Sequence, residues 1–108
     1  AAAVLAIFIA VPNPATADVT EAQIAAARSP ADHEAIARAY ETDAVTAESK
    51  AQQHRTMARA YRSTGGPKSN GNSMVRHCDR LVKNYTAAAA DYRALAAEHR
   101  SMAKDTTK

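Results

Sequence analysis

Apolar residues in the last third of the chain return in steps of four and three: Met74, Cys78, Leu81, Tyr85, Ala88, Tyr92, Leu95, His99 and Met102. That spacing is a heptad seam and predicts one long helix, capped by Asn72 or Ser73 and running to about Lys104. The preceding stretch answers it with His33, Ile36, Tyr40, Ala44, Ala47, Ala51, His54, Met57 and Tyr61. Nothing breaks a helix between Ala31 and Ser63, which gives about 50 Å of helix at 1.5 Å per residue. Thr64-Gly65-Gly66-Pro67-Lys68-Ser69-Asn70-Gly71-Asn72 separates the two as a loop. Ahead of them, Ser29 suits an N-cap, Pro30 the first helical position and Asp32 the third. A short helix is expected from about Val19 to Arg28, with Thr20 and Gln23, or Asp18 and Glu21, forming its capping box. The expected fold is all-α: a long antiparallel helical hairpin with a short N-terminal helix.

The segment before the first helix has another character. Residues 1–11 are all apolar, Pro12-Asn13-Pro14 interrupts them, and Ala15-Thr16-Ala17 precedes Asp18. An apolar run, a breaker and an A-x-A site form the pattern of a cleaved signal peptide. A membrane span needs about 20 apolar residues, so this run is too short for one. The chain is thus divided into a signal peptide, residues 1–17, and a helical-bundle domain, residues 18–108, placed in the periplasm or secreted. No membrane association is expected after cleavage.

Charge changes the picture little. There are 14 Lys and Arg against 11 Asp and Glu, all beyond residue 17, and both signs alternate along the helices. Interleaved charge is the ordinary solvated face of a helix, and it argues against a nucleic-acid partner. Alanine dominates the apolar positions, there is no Trp, and the single Phe lies in the leader. Two alanine-rich helices bury little area, so the domain is expected to form a homodimer, as a four-helix bundle. No nucleophile with a placed base, no paired carboxylates and no phosphate-binding glycine loop occur, which points away from an enzyme.

Candidate chemistry lies on the seam. Residues His54-Arg55-Thr56-Met57-Ala58 recur 45 positions later as His99-Arg100-Ser101-Met102-Ala103, and His33 falls on Cys78. The pattern is that of an internal repeat in which the heptad phase is kept. A hairpin turning near residue 68 pairs positions whose numbers total about 137. It then gathers His54, Met57 and Cys78 into one group, with Met74 and His77 nearby. A second group holds His33, His99 and Met102, roughly 20–30 Å away at 1.5 Å per residue.

Imidazole accepts either copper state, and thiolate and thioether donors select Cu(I). Burying histidine is costly unless its nitrogens find partners, and an alanine-rich core offers few. The expected function is copper binding by an exported bundle, for carriage, sequestration or electron transfer. Two alternatives remain open: a structural or partner-binding helical module without metal, and non-covalent haem bound between His and Met where Ala47, Ala51 and Ala88 leave room. The four tyrosines read as packing opposite alanines.

Overall fold

The computed structural model describes residues 18–64 and 72–106. The leader, and with it the expected cleavage site, lies outside the described residues. Three helices follow in order: α1, Glu21–Ala26; α2, Pro30–Thr64; and α3, Ser73–Asp105. α2 and α3 pack antiparallel along their length, so the all-α helical hairpin is the fold. Among the described residues no helix is long and apolar enough to cross a membrane.

Each start is set by the local chemistry the sequence advertises. At α1 the Gln23 backbone N–H donates to Thr20 Oγ1 at 3.2 Å, and the Thr20 N–H donates to Gln23 Oε1 at 2.9 Å. Two otherwise unsatisfied donors are thereby paired reciprocally. At α2 the Asp32 N–H donates to Ser29 Oγ at 3.1 Å, while Asp32 Oδ2 accepts from the N–H groups of Ser29 and Arg28 at 3.1 and 3.0 Å. These bonds favour the ionised carboxylate and hold the Asp32 pKa below its usual range, the Arg28 N–H contributing most. At α3, Asn72 Oδ1 accepts from the Met74 N–H at 2.7 Å.

The buried seam keeps a strict heptad but differs from the expected one, chiefly along one row of α3. On α3 the row Cys78, Tyr85, Tyr92 and His99 faces α2 as expected, at least half-buried throughout. Its companion row is Val75, Val82, Ala89, Ala96 and Ala103; of the expected Met74, Leu81, Ala88, Leu95 and Met102, Ala88 packs on the central cluster, Leu81 is half-buried and the other three are exposed. Met74, Leu95 and Met102 are 45%, 38% and 43% exposed. On α2 the corresponding rows are Ala37, Ala44, Ala51 and Ala58, and His33, Tyr40, Ala47, His54 and Tyr61. Met57 is exposed and Ala58 takes its place. Ile36 is buried beside Ala37, in a hollow that it lines with Val19, Ala26 and Ala27 from the α1 segment.

Side-chain volume explains the correction. Small residues at one seam row let two helices approach closely, and a Met or Leu inserted there would hold them apart. The larger apolar residues are therefore turned one position aside, to the flank. In the middle of the hairpin Ala44, Ala47 and Ala89 form a buried cluster, against which Tyr85, Ala88 and Tyr92 pack.

Charges close the flank beside the alanine row. Arg62 pairs with Asp79 at 2.8 Å, Arg93 with Glu48 at 2.5 Å, and Arg100 with both Glu34 and Glu41. Along α2 this flank runs Glu34, Glu41, Glu48, Arg55, Arg62, and α3 answers with Arg100, Arg93, Thr86 and Asp79. Exposed pairs of this kind stabilise by about 0–1 kcal/mol each. Their larger effect is on register, since sliding one helix by a heptad would place Arg62 opposite Thr86 and leave Asp79 without its arginine.

Candidate metal centre

The seam carries two rows, one of alanine and valine and one of histidine, tyrosine and cysteine. The second row holds the chemistry. Its rungs are fixed by two observed contacts. His33 Nδ1 lies 3.2 Å from His99 Nδ1, and the rings of Tyr40 and Tyr92 stack with centroids 6.3 Å apart. The same register makes Ala47 and Tyr85 the next rung, and His54 and Cys78 the one after. Residues 45 apart thus take like places: His33 and Cys78, Tyr40 and Tyr85, Ala47 and Tyr92, His54 and His99.

The His33–His99 rung is the best-defined part of the site. The two rings sit 5.4 Å apart, tilted by 32°, and Tyr40 lies against the other side of His99 at 5.8 Å. His99 is 7% exposed and His33 is half-buried. One Nδ1 must carry a proton and donate while the other accepts, so the pair holds one shared proton and cannot be protonated on both facing nitrogens. Burial pushes the His99 pKa below its ordinary value, and the charge of a protonated His33 pushes it the same way. Both effects favour the neutral imidazole at His99, the form that ligates metals.

The His54–Cys78 rung is less complete. Cys78 is a buried free thiol. The His54 ring stacks on Tyr85 at 5.8 Å, almost parallel at 8°. Its Nδ1 is buried without a hydrogen-bond partner. A buried imidazole nitrogen with no partner is the kind of unpaired polar atom that calls for an explanation.

The other expected donors stand apart from these rungs. Met57, Met74 and Met102 are exposed beside the seam, and His77 is exposed on the outer side of α3. The expectation that the seam buries all three methionines is therefore corrected. Within the described residues no group of three or more His, Cys, Asp or Glu stands close enough to hold a metal ion. Ala47 and Ala51 are buried, and Ala47 belongs to the packed central cluster.

Sequence reasoning treated Tyr40 as bulk, yet its ring bridges His99 to Tyr92. The signal was present, for Tyr40 stands one heptad from both His33 and Ala47 and so shares their row. Compared with known protein families, characterised proteins and solved structures, the chain matches none.

Proposed function

We propose that this protein binds copper through imidazole nitrogens on the inner row of its hairpin, and serves in copper carriage, sequestration or electron transfer. The observation that carries the reading is the 3.2 Å separation of His33 Nδ1 and His99 Nδ1 across the two helices. Two nitrogens on one tetrahedral ion at 2.0–2.1 Å stand roughly 3.3 Å apart, so an ion could replace the shared proton with little movement. Imidazole suits copper in either oxidation state, and an ion held at this spacing would need further donors to complete its shell. His54 and Cys78 supply the same kind of rung further along, with a thiolate in place of one imidazole. The protein would act in the periplasm or outside the cell, after loss of residues 1–17, and as a homodimer.

Competitive titration of the metal-free protein with Cu(I) tests the reading. Tight binding that falls at least tenfold in His99→Ala is expected. Wild-type protein that leaves Cu(I) with a chelator of micromolar affinity would overturn it. A second reading has its own observation: the two histidines already satisfy each other by hydrogen bonding. In that case they are a packing pair in a partner-binding module, and His33→Gln with His99→Gln would alter stability while no form of the protein responds to copper.

A further inference from the structure

One face of the hairpin is left open. The flank beside the alanine row is closed by the ion pairs to α2, but the flank beside the His/Tyr/Cys row carries Met74, Leu81, Ala88, Leu95 and Met102. These five residues of α3 recur at intervals of seven, spanning about 42 Å at 1.5 Å per residue. Met74, Leu95 and Met102 are exposed, and Leu81 and Ala88 half-buried. Along this flank Ala88, Tyr85 and Tyr92 border a groove whose other side is formed by Asp43 and Lys50 of α2, with Asp18 from the segment ahead of α1 at its edge.

The order of residue types identifies what covers this stripe. Met, Leu, Ala, Leu, Met reads the same in both directions. An antiparallel copy of α3 therefore matches it residue for residue, with Met74 against the partner's Met102, Leu81 against the partner's Leu95, and Ala88 on the two-fold axis against the partner's Ala88. Two-fold interfaces require this self-complementarity. The small residue falls where the helices must come closest. The bordering charges agree, because antiparallel docking sets His77 opposite the partner's Glu98. The hairpin also needs the cover, since among the described residues Val75 is the largest side chain that is fully buried.

We infer that two hairpins dock antiparallel through this α3 stripe about a two-fold axis at Ala88, and that the copper site is completed between chains. The inference of a shared site rests on the copper reading above; the docking does not. In this register the row next to the stripe sets Cys78 opposite the partner's His99, beside the pairing of Met74 with the partner's Met102. Each end of the dimer then gathers Met74 and Cys78 from one chain with the partner's His33, His99 and Met102. Two imidazoles, a thiolate and thioethers form a donor set for copper. Cys78 releases its thiol proton to solvent as the ion binds, and the oxidation state of the metal does not change.

Two experiments on the mature protein separate the claims. In sedimentation, Leu81→Lys and Leu95→Glu should each weaken the dimer by roughly a hundredfold or more, since each buries two unpaired charges. The double substitution should restore it, because each new lysine meets the partner's new glutamate. A double variant that stays monomeric, or wild-type protein monomeric at 100 µM, overturns the docking. For the site, Cys78→Ser and His99→Ala chains are unfolded in urea, mixed in equal amounts and refolded together. Each alone should lack tight Cu(I) binding, whereas the mixture should recover about a quarter of the wild-type sites, half the dimers being mixed with one intact end of two. No recovery overturns the shared site. Wild-type protein that dimerises but ignores Cu(I) refutes the copper reading and leaves the docking standing.

Discussion

Replacing Ala44 by leucine tests why the seam is built of alanine, because two effects compete there with opposite sign. Ala44 is fully buried and packs with Ala47 and Ala89. Leucine adds three carbons. If the helices stood far enough apart to receive them, their burial would stabilise by about 0.8 kcal/mol per carbon, or roughly 2 kcal/mol in all. If the seam is closed to alanine volume, the added carbons force the helices apart or the side chain out of its rotamer, which costs about 1–3 kcal/mol. Helix propensity separates the two residues by only a few tenths of a kcal/mol and decides nothing. The buried alanines at 37, 44, 51 and 58 on α2 argue for the second outcome. With a urea slope of about 1 kcal/mol per molar for a domain this small, Ala44→Leu should lower the midpoint by 1–3 M. Urea titration followed by circular dichroism at 222 nm measures it, with both proteins at one concentration so that assembly contributes equally. A midpoint equal to or above wild type would refute close packing of the seam.

Other expectations follow from single observations. Ser29→Ala removes the side chain that accepts from the Asp32 N–H and should cost about 1 kcal/mol in the same urea experiment; no loss would mean that Asp32 alone holds the start of α2. Acid should weaken the metal-free fold. Because the folded pKa of His99 lies below its ordinary 6.5, the unfolded chain takes up the proton first. Stability is therefore complete above pH 6.5 and falls as pH drops from there to the folded pKa, with a slope of at most about 1.4 kcal/mol per pH unit for one proton. Unfolding midpoints at pH 7.5, 6.5 and 5.5 should show this slope in wild type and lose most of it in His99→Gln. Breaking one exposed ion pair, as in Arg93→Ala, should cost less than about 1 kcal/mol. A larger loss in thermal unfolding would show that the charges hold the hairpin rather than select its register.

The caps and boundaries were legible because they depend on neighbours in sequence. Thr20 with Gln23, and Ser29 with Asp32, announce their helices by residue type alone. The meeting of His33 with His99 was legible too, since it follows from helix rise and the position of the turn. The buried row of alanines was not. Met74 and Leu95 are the larger apolar side chains and fall in the four-and-three pattern with Cys78 and His99, so a search for apolar periodicity settles on them rather than on Val75 and Ala96. Close packing ranks by volume, and chooses the second.

That misreading has a physical meaning of its own. On α3 the rows Met74–Met102 and Cys78–His99 together make the four-and-three pattern that the sequence displays; the second row faces α2 throughout, and of the first only Ala88 packs against the central alanine cluster. The pattern combines one row of the inner seam with the row of larger residues on the flank beside it. A helix with one apolar stripe packs on one neighbour; α3 has a row of small residues turned to α2, a row of larger residues turned away, and the His/Tyr/Cys row between them. Three adjacent rows are what a helix needs when it sits at a corner, with a neighbour on each of two sides, as in a four-helix bundle. The middle row is then the one enclosed from both sides, and it is the row that carries His99 and Cys78.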